Sequence, residues 1–192
     1  MVFPWDELNT LEQKWTMPFQ ERITAREVID EIYDILVLAY VYGWDNVVKD
    51  LGVDIEVDTD KAVESVQRPV AGKTFSERVI EYVGSEDGEV TDAMWDEIIR
   101  IAETDTNRVF NEGADDAAEA AEQETGRVAM KRWHTMVDDR VRDTHFYLEG
   151  TVIPRNEKFH TYDGDEADKP GGFILPQNNI RCRCFLEYEW GK

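Results

Sequence analysis

Apolar residues recur at helical spacing through the first two thirds of the chain. Thr24 followed three residues later by Glu27 is the pattern of a capping box, in which each side chain bonds the other residue's backbone N–H. The helix that it opens carries two apolar rows, which are Val28, Ile32, Ile35, Ala39 and Tyr42, and Ile29, Tyr33, Leu36 and Tyr40. So wide an apolar face predicts a helix buried on more than one side, running to about Asp50 and stopping at Gly52.

A shorter helical pattern follows. Residues 54–68 are acidic and weakly patterned, and Pro69 ends them. Thr74 with Glu77 forms a second capping box, which predicts a short helix through Tyr82. The turn-rich residues 84–88 then separate this helix from the next.

The longest helical pattern begins at Thr91. It continues into residues 114–124, an alanine- and acid-rich run whose composition favours helix. Gly113 and Gly126 weaken the pattern before and after this run, because glycine is a poor helix former. We expect the helix to resume over residues 128–136, which places Trp133 on a helix.

The pattern changes after Asp138. Short strand-like pieces, separated by prolines, glycines and acidic turns, occupy residues 151–153, 158–160, 173–175 and 184–186. Helices followed by such pieces predict an α+β fold, with an N-terminal helical region and a small C-terminal α+β module of short antiparallel strands. We divide the chain into an N-terminal arm (residues 1–22), an acidic helical region (residues 23–130) and the C-terminal module (residues 131–192).

The N-terminal arm has no clear hydrophobic period. It contains Phe3, Trp5, Trp15 and Phe19 together with two prolines. We expect this segment to dock either on the protein's own core or on a neighbouring protein.

Charge is divided unevenly along the chain. The net formal charge is −21, and residues 1–130 hold 31 acidic against 11 basic residues, whereas residues 131–192 hold 11 against 10. An acidic surface repels phosphates, which disfavours a conventional nucleic-acid-binding domain there and is compatible with basic protein partners, a high-salt environment or simple solubilisation. No stretch approaches the ~20 apolar residues of a membrane helix, so we expect no membrane partner.

Two clusters near the C-terminus carry the candidate chemistry. The first contains His145, and the second contains both cysteines of the chain, Cys182 and Cys184. On a strand, Cys-x-Cys directs both sulfurs to one face, and His145 completes three ligands of a tetrahedral zinc site, with His160 or Asp139 as a fourth. The alternative is that the cysteines are buried as small apolar residues while His145 bonds to the backbone.

Two catalytic interpretations use the same clusters. A thiol-dependent hydrolase would use Cys182 or Cys184 as nucleophile, with His145 as base and Asp139 to orient it. A nuclease would use His145 as acid and base, with Arg142 and Arg183 on phosphate. Structural ion pairs to nearby acidic residues explain these arginines more simply.

The clusters resemble the C-terminal module of the phage Mu F-like minor head protein family, the head morphogenesis proteins of tailed phages and prophages. The matching residues are Trp133, Asp139, Arg142, His145, Gly150, Glu157, Phe159, Pro176, Asn179, Arg183 and Cys184, with Cys182 beside it. Thr104, Asp105, Thr106 and Asn111 resemble the family's Thr-Glu-Thr helix. The resemblance covers roughly residues 73–190. It departs from the family where two residues, Ile180 and Arg181, separate Asn179 from the first cysteine.

The resemblance implies a non-enzymatic minor component of a virion or procapsid, associated with the portal protein and with capsid or scaffold protein. It implies a part in head assembly, DNA packaging or ejection, with indirect contact with packaged DNA. The implied location is the host cytoplasm during assembly and then the virion or procapsid interior. The cluster of His145, Cys182 and Cys184 is then structural, with zinc as its possible cofactor. A nuclease or thiol-dependent hydrolase is the rival function.

Overall fold

The computed structural model describes residues 23–192 and, ahead of them, residues 9 and 10. The rest of the N-terminal arm predicted over residues 1–22 lies outside the described residues, and its docking role stays a prediction. In the part of the chain that is described, no helix is both long and apolar enough to cross a bilayer.

Helices come first along the chain and short strands follow. The helices are α1 (Ala25–Leu51), α2 (Thr59–Gln67), α3 (Phe75–Val83), a 3-10 turn (Asp92–Met94) and α4 (Trp95–Thr125). The remaining elements are β1 (Ala129–His134), α5 (Asp143–Phe146), β2 (Val152–Pro154), β3 (Phe159–His160), β4 (Glu166–Ala167), α6 (Pro176–Asn179) and β5 (Phe185–Trp190). This order confirms the α+β class, with a helical region ahead of a small region of short antiparallel strands.

Local signals define the limits of the first helices. Both capping boxes form: the hydroxyl of Thr24 accepts from the Glu27 amide, and Thr74 and Glu77 repeat the arrangement at α3. Gly52 takes a left-handed conformation with φ of 63°, in which its N–H reaches the last carbonyls of α1. The predicted ends of α1 and α3 are therefore close to those observed.

Helix α4 is continuous through Gly113, and this glycine has a packing role. A Cβ atom on Gly113 would overlap the carbonyl oxygen of Tyr40 on α1, and a Cβ on Gly43 of α1 would overlap the carbonyl oxygen of Phe110 on α4. Two backbones can approach this closely only where side chains are absent. The glycines thus allow the two longest helices to pack directly against each other.

The predicted helix over residues 128–136 is wrong. Gly126, with φ of 70°, ends α4, and Trp133 lies on β1. Along β1 the residues Ala129, Lys131 and Trp133 are buried while their neighbours are partly exposed, which is the alternation of a strand with one covered face.

Strand β1 is the middle strand of a three-stranded antiparallel sheet with the order β2-β1-β5. Trp133 pairs with Leu186 of β5, and Arg132 pairs with Val152 of β2. At the other end of β5, the indole of Trp190 donates to the carbonyl of Leu51 at 2.9 Å, which ties the sheet to α1. A second, two-stranded sheet joins β3 and β4.

Three other stretches have a secondary structure different from the one that the sequence pattern predicts. Helix α2 forms within the stretch that is weakly patterned, capped by the side chain of Asp58, which accepts from two backbone amides. Strand β4 falls in the stretch expected to be an acidic turn, and residues 173–175 form a loop where a strand was expected. The last predicted strand is present but begins at Phe185.

One hydrophobic cluster extends from α1 and α4 to the strands and includes Trp133, Cys182 and Cys184. Residues 23–130 and residues 131–192 both contribute to this cluster. The domain boundary between them stays a prediction.

Candidate functional site

The structure brings His145, Cys182 and Cys184 together in the core. The Nδ1 atom of His145 lies 3.5 Å from the Sγ atom of Cys182 and 3.4 Å from that of Cys184. His145 is on α5, and the two cysteines lie just ahead of β5. His145 and Cys182 are each 1% exposed, and Cys184 is 4% exposed. The three candidate ligand atoms lie within 4.8 Å of one another.

The two residues suggested as a fourth ligand lie elsewhere. His160 on β3 has a side chain that is 69% exposed and faces Glu166, with 3.7 Å between Nδ1 and the carboxylate. Asp139 is exposed in the turn ahead of α5. Neither belongs to the group formed by His145 and the cysteines.

Aromatic rings enclose the imidazole of His145. Trp133 meets it edge to face, with ring centroids 5.6 Å apart, and Phe173 stacks on it at 5.3 Å and 26°. Trp133 also packs against Phe159 at 5.0 Å. The Nε2 atom of His145 is buried and has no hydrogen-bond partner among the described residues. Trp133 and Phe173 therefore form the apolar wall around the histidine, and the motif residue Phe159 packs against Trp133.

Helix α4 anchors the second cysteine through two asparagines. The side-chain amides of Asn107 and Asn111 both donate to the carbonyl oxygen of Cys184, at 2.8 and 3.1 Å. The resemblance includes Asn111 but not Asn107, which no sequence motif singles out. Its position four residues before Asn111 places it on the same helix face, which is the signal that could have identified it.

Helix α4 also holds the residue ahead of the cysteines. Arg181 has a φ of 51°, an uncommon left-handed conformation for a residue with a side chain. Its backbone N–H donates to the hydroxyl of Thr104 at 3.1 Å, and its guanidinium donates to Glu103 at 2.8 Å. Arg181, the residue directly before Cys182, is thus fixed to α4.

The motif arginines have structural partners. Arg183 donates two hydrogen bonds to the carboxylate of Asp138, at 2.8 and 2.7 Å, and this pairing lowers the pKa of Asp138. Arg142 donates to the carbonyl of Ile180. These contacts agree with structural roles for both arginines.

Gly150 supports the strand that carries Trp133. It has a φ of 75°, which favours glycine, and its N–H donates to the carbonyl of Trp133 at 2.9 Å. The N–H of Trp133 in turn donates to the carbonyl of Thr151 at 3.0 Å. Gly150 thereby turns the chain back along β1.

A buried carboxylate that the sequence pattern does not single out orders the neighbouring loop. Asp165 accepts hydrogen bonds from the backbone N–H groups of Ile174 and Leu175, at 3.1 and 3.0 Å, and from the Asn178 side chain at 3.0 Å. Burial acts to raise the pKa of Asp165, but these hydrogen bonds outweigh it and lower the pKa. Asn178 also accepts from Thr144 at 3.3 Å, so the loop is linked to α5.

The two cysteines differ in acidity. A hydrogen bond from the Cys184 thiol lowers the pKa of Cys182 well below its usual range, against the effect of burial, and His145 lowers it further. The same hydrogen bond and burial raise the pKa of Cys184. The cluster can therefore hold one thiolate beside the imidazole, a pair able to serve as a nucleophile and base or as metal ligands.

A small cavity of about 10 Å³ is lined by His145 and Cys184. The other lining residues are Met136, Arg140, Val141, Arg142, Arg181 and Arg183. Such a volume is close to that needed for one water molecule. The cluster is therefore open to a single small molecule at most, which disfavours chemistry on a polymeric substrate.

The fold and the cluster define an α+β protein whose Cys-x-Cys segment and histidine are joined in the core and anchored to a long helix. The chain belongs to the family described as Phage Mu protein F like protein, whose model matches residues 70–187. This match confirms the resemblance seen in the sequence, and it spans the whole cluster together with α4.

Two curated relatives match parts of the chain. The NAD(+)--arginine ADP-ribosyltransferase EFV of Enterococcus faecalis is 28% identical over 152 residues, which are 67% of this chain and 31% of that protein. The Minor head protein GP7 of Bacillus phage SPP1 is 34% identical over 70 residues, which are 36% of this chain and 23% of that protein. The chain thus spans less than a third of the length of either relative. No solved structure matches it.

Proposed function

We propose that the protein is a minor head protein of a tailed phage or prophage that acts in head assembly, DNA packaging or ejection. The observation that carries this proposal is the family match over residues 70–187, together with the similarity to a phage minor head protein. Both support a role in phage head morphogenesis. The step of morphogenesis and the partners, which we take to be the portal protein and capsid or scaffold protein, are our inference.

The buried site supports a structural rather than an enzymatic role. His145, Cys182 and Cys184 are almost inaccessible, and Asp139, the residue expected to orient the base, is exposed outside their group. A hydrolase needs its nucleophile within reach of the substrate. We therefore place the function at the protein surface, where partner proteins bind.

The acidic helical region is the surface that we assign to partner binding. Residues 1–130 carry nearly all of the negative charge, and exposed carboxylates such as Asp30 and Asp34 lie one turn apart on α1. Charged surfaces of this kind attract partners of opposite sign and accelerate their encounter. A basic face on the portal, capsid or scaffold protein is the expected complement. The protein then resides in the host cytoplasm during assembly and afterwards in the procapsid or virion, where contact with packaged DNA is indirect.

Co-purification with the portal, capsid and scaffold proteins of the same phage or prophage tests this assignment. We expect at least one of the three to be retained at low salt and progressively released as salt rises, because screening weakens contacts between exposed charges. Replacing Asp30→Lys and Asp34→Lys should weaken retention. The matched charge reversal Asp139→Lys with Glu157→Lys, on exposed positions of the C-terminal module, should leave retention unchanged. Failure to retain any head protein at low salt would contradict the proposal.

The activity named for the enterococcal relative needs its own test. That relative is more than three times as long as the matched segment, so its name describes a larger protein. We propose that the present chain transfers no ADP-ribose. Incubation with NAD(+) and an arginine-containing acceptor should give no labelled product, with an active arginine ADP-ribosyltransferase as the positive control.

A further inference from the structure

We propose that His145, Cys182 and Cys184 bind one zinc ion in a structural site. In a tetrahedral site with Zn–S of ~2.3 Å and Zn–N of ~2.0 Å, a sulfur and a nitrogen ligand lie about 3.5 Å apart. The observed separations of Nδ1 from the two sulfur atoms are 3.5 and 3.4 Å. Both nitrogen–sulfur separations therefore match the spacing around a single zinc ion, and all three ligand atoms lie within 4.8 Å of one another.

The near equality of these two distances favours a metal over a hydrogen bond. The Nδ1 atom of an imidazole offers either one lone pair or one proton, so it forms one good hydrogen bond with one of the two sulfurs. A second sulfur at the same distance then has no comparable bond to the ring. One ion placed between the three atoms satisfies all of them at once.

The ligand set matches the preference of zinc. Metal binding would release the protons of both thiols, which leaves two thiolates and one neutral imidazole, the soft and borderline donors that zinc binds in proteins. The backbone N–H of Cys184 points to the sulfur of Cys182 at 3.4 Å, and such a contact stabilises negative charge on that sulfur. With a metal bound at Nδ1, the proton of the ring is on Nε2, inside the aromatic enclosure of Trp133 and Phe173.

The fourth coordination position suits one water molecule. Of the residues that the structure describes, three are grouped as ligands, and the adjoining cavity of about 10 Å³ is close to the volume of one water. Arg140, Arg142 and Arg183 line this cavity. Their positive charge would favour an oxygen ligand that carries partial negative charge, and the small volume would leave no room for a larger molecule.

The ion would join parts of the fold that are distant in sequence. His145 belongs to α5, whereas Cys184 is fixed through its carbonyl to Asn107 and Asn111 of α4. Zinc therefore links α5 to α4 through the Cys-x-Cys segment. The site belongs to the C-terminal fold itself and is expected whether or not the chain acts in a phage head.

The test uses the full chain, purified without a metal-affinity tag and analysed for metals by elemental mass spectrometry. We expect one zinc ion per chain, lost in the Cys182→Ser/Cys184→Ser variant. The matched control is His160→Gln, which changes an exposed histidine outside the group and should keep its zinc. Zinc retained in the double serine variant, or absent from the wild-type chain, would overturn the proposal.

A second measurement does not depend on whether the variants fold. The wild-type chain is depleted with a chelator and titrated with Co²⁺, which reports ligand type by its absorption. We expect saturation at one ion per chain, with intense visible bands of tetrahedral cobalt and a sulfur-to-cobalt charge-transfer band in the near ultraviolet. Chelator treatment should also lower the melting temperature, because metal binding is coupled to folding. A Cys182–Cys184 disulfide, or cobalt bound without the charge-transfer band, would show that the thiols are not ligands.

Discussion

Asn179 pairs with the backbone of Phe173 in both directions. Its side-chain oxygen accepts from the Phe173 N–H at 3.0 Å, and its side-chain amide donates to the Phe173 carbonyl at 2.6 Å. The Asn179 side chain thereby satisfies both backbone hydrogen-bonding groups of Phe173, as a neighbouring β-strand would. Because Phe173 stacks on His145, the motif asparagine positions one wall of the Cys/His cluster. Its backbone carbonyl also accepts from the N–H of Cys182 at 3.1 Å.

Replacing Asn179→Ala should therefore loosen the cluster. Both hydrogen bonds to Phe173 are lost, and we expect the free energy of unfolding to fall by about 1–3 kcal/mol. Denaturant unfolding measures this change, and near-ultraviolet circular dichroism should report altered packing of the aromatic rings. Gln177→Ala, an exposed position on the same short helix, is the control and should change stability little. Equal stability of the two variants would contradict this role of Asn179.

Gly113→Ala tests the contact between α1 and α4. In an exposed helix this substitution stabilises by about 1 kcal/mol, because alanine is the better helix former. Here the new methyl group would overlap the carbonyl of Tyr40, so we expect a net loss of about 2 kcal/mol or more. Thermal unfolding measures the change, and Gln123→Ala at an exposed position of α4 provides the propensity control. A stabilised Gly113→Ala variant would show that the helices can separate without cost.

Asp165→Asn should destabilise the protein in a pH-dependent way. The pKa of this carboxyl is lowered in the folded state, so its contribution is complete above the unfolded pKa of about 3.9 and is lost as pH falls through the folded value. At pH 7 we expect the variant to lose about 2 kcal/mol, since several charge-assisted hydrogen bonds are weakened. The difference from wild type should shrink as the pH is lowered towards 3. Asp168→Asn, at an exposed site nearby, should show no such convergence.

Lys131 gives a pH dependence of the same sign in the alkaline range. Its side chain is fully buried, its ammonium donates to the carbonyl of Asp168, and burial lowers its pKa to about 8. Between this value and the unfolded pKa of about 10.4 the unfolded chain binds more protons, so stability rises with pH. From pH 8 to 9.5 we expect wild type to gain about 1–2 kcal/mol relative to Lys131→Met. Urea unfolding of both proteins measures this difference, and parallel pH profiles would refute the assignment.

Local sequence was enough to predict α1 and α3. Capping boxes at Thr24 and Thr74 use side chains three residues apart, and Gly52 ends its helix by its own backbone freedom. The grouping of His145 with Cys182 and Cys184 was also predicted, because these residue types are rare in the chain and come in the order of a known family. Neither inference needs the position of any distant element.

Long-range packing decided the rest. Residues 128–136 carry apolar residues at both helical and alternating spacing, and Trp133 lies on a strand because β2 and β5 supply hydrogen bonds on either side. From the sequence alone Asp165 is one of several acidic residues in a turn. Its role appears only in the fold, where the backbone N–H groups of residues 174 and 175 donate to its carboxylate. From the sequence alone Lys131 would be taken for a surface charge, whereas in the fold it is buried on the covered face of β1. Capping, helix propensity and residue order are properties of neighbouring residues, whereas strand pairing and the burial of a charge arise only when distant segments meet.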